Sequence, residues 1–265
     1  MIAPFYLKLL LGFVIGGLWV SLGTLAAETF GTRVGGFIGG LPSTIVVALV
    51  FIGWTQGSEQ VFRATTVLPL AFSVNAVYLI TYAVLARKAF AWGIVGALSA
   101  WFLFQGLLGL LEVNNLTLAT AVWLLVFVAS YDVLQNRLRI RSHEKIALRH
   151  TPSQIAWRAG FGGAVIVLAI MMSKIGGPIW GGIFSAFPAV YTSTLVITSQ
   201  SGGVEFSRSL ITPLMISGVI SPVVFGIAFR YTVFGFNLFE AAAIAYAISM
   251  VSAFLTFLFM ERRML

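Results

Sequence analysis

The chain has no cysteine and only two histidines, which excludes disulfides, thiolate metal sites and cysteine nucleophiles and leaves little for imidazole chemistry. No metal or cofactor is expected. Charge is equally scarce, since 9% of the 265 residues are Asp, Glu, Lys or Arg, against roughly 25% in water-soluble folds. That balance excludes a soluble domain of this size. Also missing are paired-carboxylate, HExxH, GxSxG and phosphate-loop patterns, so no enzyme activity is expected.

What the chain has is apolar surface: 59% of its residues are hydrophobic and the mean hydropathy is +1.00. Apolar runs of about 20 residues follow one another across short polar joints, the pattern of an all-α, polytopic helical membrane protein whose first partner is the lipid bilayer. Nine spans are predicted, at 4–26, 35–57, 65–86, 90–111, 116–134, 157–174, 178–201, 210–233 and 238–260. Only Lys8 precedes the first run, so it reads as a retained span rather than a cleaved signal.

The second span has a double. Shifting the sequence by 146 positions, without a gap, superimposes Gly16-Gly17 on Gly162-Gly163, Gly35-Gly36 on Gly181-Gly182 and Pro42 on Pro188. Gly57 and Glu59 fall on Gly203 and Glu205 in the same register. An internal duplication follows: residues 1–112 form a first four-helix repeat, 113–156 a connector helix with a basic loop, and 157–265 a second four-helix repeat. An odd number of crossings separates equivalent helices, so the two repeats must be inverted.

Charge placement agrees. One side of the nine-span arrangement collects twelve of the sixteen basic residues, the 135–154 joint among them, while Lys8, Arg63, Lys174 and Arg230 lie on the other. The positive-inside rule then puts the N-terminus outside and the C-terminus in the cytoplasm of an inner or plasma membrane. Topology thus accounts for the net charge of +8, and no nucleic-acid partner is expected. A homo-oligomer is compatible with the sequence.

Pro42 and Pro188 lie inside their spans, where proline removes a backbone hydrogen bond and frees carbonyls one turn earlier. Such carbonyls need protein partners or a water-filled cavity. Gly35, Gly36, Gly181 and Gly182 precede these prolines, so the segments serve either as broken helices lining a path or as close packing elements. Beyond the prolines come Ser43 and Thr44 in one copy and Tyr191, Thr192 and Thr194 in the other, with Asn75 in the third span. Hydroxyls and an amide can replace part of a solute's water shell, so these residues are the expected substrate-binding groups. The alternatives are hydroxyls bonded to their own helices and an asparagine joining two helices. No carboxylate is expected at mid-membrane; Glu59 and Glu205 precede Arg63 and Arg208 at ion-pair spacing.

The segment GGIFSAFPAVYTSTLVITSQSGG at 181–203, anchored on Gly182 and Phe187-Pro188, resembles the GlpM-like family of small four-span inner-membrane proteins. That resemblance implies a bundle of paired four-helix units. The inverted arrangement is similar in architecture to the drug/metabolite transporter superfamily and the dual-topology fluoride channels. The function expected is transport of a small polar or anionic organic solute by alternating access, with a passive channel or a structural protein as the alternatives.

Overall fold

The computed structural model describes residues 2–29, 41–111, 113–140 and 151–264, and among these every regular element is helical. The first half contains α1 (Ile2–Thr29), α2 (Thr44–Gln56), α3 (Ser58–Leu85) and α4 (Phe90–Gly109). The connector is α5 (Leu116–Asp132), prolonged by one π-helical turn, Val133–Arg137. The second half contains α6 (Pro152–Gly176), α7 (Pro178–Ser185), α8 (Ala189–Ser209), α9 (Ile211–Thr232) and α10 (Leu238–Met264).

Among the described residues, eight helical stretches are long and apolar enough to cross a bilayer. The chain is a multi-pass membrane protein. Its helix starts are specified locally: the Asn115 side chain accepts the Leu118 N–H at the head of α5. Thr151 and Gln154 exchange hydrogen bonds as a capping box ahead of α6, with Pro152 in its first turn.

The central helices are α3, α7–α8 and α9, in which 67%, 72% and 61% of the apolar window is buried, against 17% for the connector stretch and 22% for α10. Leu103, Leu125 and Val251 accordingly turn outward, fully apolar and exposed. Lipid is as apolar as a core, so these outer faces carry no polar stripe.

Glycines show how the halves meet. A Cβ on Gly17 would lie 2.9 Å from the Ala159 carbonyl oxygen, and one on Gly163 would lie 2.6 Å from that of Phe13. Gly16 is likewise seated on Ile166, and Gly162 on Val20. Every one of these contacts maps onto its counterpart by the 146-residue shift, as a two-fold axis between α1 and α6 requires. Partner numbers also fall as residue numbers rise, so these equivalent helices run antiparallel and the repeats are inverted. The same holds in the α3–α9 pair, where Gly226 meets Leu68 and Arg230 donates to the Phe62 carbonyl and to Thr66.

Two boundaries differ from the sequence reading. The third span starts at Ser58, so Glu59 and Arg63, expected in a joint, form their 2.8 Å ion pair in the first turns of α3. Its start is fixed by Gly57, whose φ of 97° closes α2; the equivalent Gly203, at φ 81°, interrupts α8. Only glycine takes this left-handed backbone without strain. Finally, the expected span at 178–201 is two helices separated by residues 186–188.

Candidate functional site

The break between α7 and α8 is built around Pro188. Its ring has no N–H to give, and its φ of −76° and ψ of 45° leave the helical path. Within the break, the carbonyl of Ala186 is met by Asn75 of α3, whose Nδ2 donates to it at 2.8 Å. Asn75 Oδ1 in turn accepts from Trp101 Nε1 at 2.9 Å. All of this is enclosed, for Asn75 is 1% exposed. Trp101 is fully buried and packs edge-on against Phe187 with ring centres 4.8 Å apart.

In the first copy, Pro42 and Ser43 precede α2, which is 13 residues long. That is about 20 Å of helix, short of the roughly 30 Å hydrocarbon core. Gly35 and Gly36 lie outside the described residues. In the second copy Gly181 is seated on Ser173, and Gly182 on the Ala64 carbonyl of α3. These two glycines are therefore close-packing positions, since any side chain would push α7 off its neighbours.

Where the Pro42-Ser43 segment faces the break at 186–188 there is a cavity of about 50 Å³. Its lining is paired by the two-fold relation: Leu41 with Phe187, Pro42 with Pro188, Thr44 with Val190, Ile45 with Tyr191, and Phe72 with Gly218. Ser43, Asn75, Ser185, Ala186 and Pro222 complete it. No carboxylate or cation is in this lining. The volume exceeds the 10–15 Å³ that one water needs, yet falls well short of the roughly 300 Å³ of drug-sized pockets.

Tyr191 supplies the unusual group. It is 6% exposed, and its hydroxyl is buried with no hydrogen-bond partner among the described residues. The ring rests on Gly218, which has no side chain to obstruct it. An orphaned phenol in a membrane interior is costly, and a polar guest would relieve the cost.

The other expected hydroxyls are placed differently. Thr192 and Thr194 are not in the cavity lining. Thr192 Oγ1 donates to the Pro188 carbonyl at 2.8 Å, so the 2.9 Å contact with Tyr78 is a bond donated by the tyrosine. Thr194 Oγ1 accepts from Arg158 at 3.1 Å. Ser193 and Thr198 bond to carbonyls of their own helix. The dense hydroxyl face of α8 is therefore mostly turned on protein, because a threonine one turn beyond a carbonyl reaches it more easily than it reaches across a cavity.

Ser43, Thr44, Asn75 and Tyr191 thus border one cavity together with Pro42 and Pro188. Sequence reasoning missed Phe72, Gly218 and Pro222. The first two sit at equivalent positions, so the 146-residue register carried a usable signal for them. Ser221, equivalent to Asn75, keeps a buried hydroxyl without a partner among the described residues. Among the described residues no group of three metal-ligating side chains occurs.

A family described as a protein of unknown function, DUF3147, matches the chain twice, over residues 9–112 and 157–262. The two matches coincide with the two halves that the glycine contacts relate. No curated protein and no solved structure matches.

Proposed function

The chain belongs to the DUF3147 family and carries that family's unit twice, in opposite orientations, and we propose that it is a transporter of a small polar or anionic organic solute. The two halves would rock about their pseudo-two-fold axis and open the central cavity to each side of the membrane in turn. One observation carries this reading: the cavity lies between the Pro42-Ser43 segment ahead of α2 and the equivalent Pro188 break, and its lining includes Tyr191, whose buried hydroxyl has no partner among the described residues. Helix starts at Thr44 and Ala189 add backbone N–H groups and a partial positive field, which favour a polar or negative guest.

Cavity size narrows the guest to a few non-hydrogen atoms unless the halves part. The N-terminus is proposed to lie outside and the C-terminus in the cytoplasm, following the twelve-to-four division of basic residues. The GlpM-like resemblance of 181–203 fits this reading as a likeness of four-helix units. A passive channel is the second reading, favoured by the same small volume. No step of covalent chemistry is assigned to the site.

Uptake into proteoliposomes of labelled glycolate, oxalate, urea, glycerol and ethanolammonium separates these readings. Transport predicts saturable uptake of at least one solute that is accelerated by the same solute on the far side. Unsaturable flux would favour the channel, and uptake equal to protein-free vesicles for every solute would remove both.

A further inference from the structure

Arg158 is a cation within a membrane-spanning helix. It is the seventh residue of α6 (Pro152–Gly176), about 9 Å of helix from the start. A long cation so placed ordinarily snorkels to the headgroups. Here the guanidinium turns inward instead, and its Nη2 donates to Thr194 Oγ1 of the central helix α8 at 3.1 Å. Its Nε is buried and has no partner among the described residues. The ion pairs formed among the described residues are Glu59–Arg63 and Glu205–Arg208, so the charge of Arg158 is unmatched there.

Its neighbours connect it to the cavity. Thr194 lies three residues beyond Tyr191 on α8, roughly 4.5 Å along the helix. Phe161, a turn beyond Arg158 on α6, packs edge-on against the cavity residue Phe187, with ring centres 6.0 Å apart. The residue equivalent to Arg158 in the first half is Gly12, which packs against Ile170 and Phe51. The charge thus has no counterpart at the two-fold equivalent position.

We propose that Arg158 is the anion-recognition residue of this path and that the solute is a small carboxylate, or a comparable oxyanion, of few non-hydrogen atoms. The inference rests on the transport reading and narrows it from polar or anionic to anionic. Guanidinium suits this task because its planar edge presents parallel N–H donors to two oxygens of one anion. Tyr191 offers a further donor in the cavity. Among the described residues no carboxylate lines the cavity.

The test is the same uptake panel with wild type, Arg158→Gln and Arg158→Lys, and thermal unfolding of each in detergent with sodium glycolate against sodium chloride. Wild type should take up glycolate or oxalate in preference to urea, glycerol and ethanolammonium. Arg158→Gln should lower that uptake at least tenfold and abolish stabilisation by glycolate, and Arg158→Lys should restore part of both. Uptake of urea, glycerol or ethanolammonium at equal rates in wild type and Arg158→Gln overturns the inference and leaves transport standing. Anion uptake unchanged in Arg158→Gln overturns it as well. Should Arg158→Gln fail to fold, wild-type selectivity and stabilisation by glycolate decide alone. No uptake of any solute overturns both readings.

Discussion

Gly17 and Gly163 occupy equivalent positions in the two halves, and each meets the backbone of the other's helix: a Cβ would come within 2.9 Å of Ala159 O and 2.6 Å of Phe13 O respectively. A carbonyl held in a helix cannot step aside as a side-chain tip can. Alanine at either position should cost about 1–3 kcal/mol through overpacking, by similar amounts at both. Gly106 and Gly160, with nothing within 4 Å, should gain about 0.5–1 kcal/mol from the same change through helix propensity. Thermal unfolding in detergent reads the contrast, and equal effects at all four positions would count against the two-fold contact.

Inversion makes a second prediction, which the lack of native cysteine renders clean. Asn115 and Asn136, both exposed, lie at opposite ends of the connector helix and its π turn. Single cysteines there should react with impermeant maleimide from opposite sides, Asn115→Cys from outside. Reaction of both from one side would remove the five-crossing separation of α1 and α6.

Much of this architecture was legible in the sequence. The 146-residue register pairs Gly16-Gly17 with Gly162-Gly163, and the structure uses those residues as the reciprocal contact. Hidden from the sequence were the partners of the polar groups. Thr192 and Tyr191 are neighbours of similar promise, yet the Pro188 carbonyl one turn earlier engages the Thr192 hydroxyl, while the hydroxyl of Tyr191, several bonds farther from its backbone, finds no acceptor among the described residues. Arg158 entered the sequence reading only as one of twelve basic residues, because whether a cation snorkels or turns inward depends on which helix lies opposite.

Asn75 carries the third prediction. Asn75→Leu leaves the Ala186 carbonyl and Trp101 Nε1 without their partners, at a cost of about 1–3 kcal/mol for a buried group left unsatisfied. Trp101→Phe should cost less for the bond itself, and the double variant less than the two single changes combined. Strict additivity would show that the Asn75–Trp101 bond contributes nothing.

Tyr191→Phe is expected to separate stability from function. Removing a buried, unpartnered hydroxyl should leave the unfolding temperature at or above that of wild type. Solute uptake should nevertheless fall about tenfold, corresponding to roughly 1.4 kcal/mol of lost binding. A variant that is both less stable and fully active would reverse the assignment.

Access to the cavity from the two sides is the most direct test of transport through the paired breaks. A cysteine at Ser43, which borders the cavity beside Pro42, reports it in a chain with no other thiol. Alternating access predicts labelling by an impermeant reagent from either side of oriented vesicles. Transported solute should slow both reactions, and conditions that favour one should suppress the other. Labelling from neither side, or from both sides at rates that solute leaves unchanged, would contradict a rocking transporter built on these two breaks.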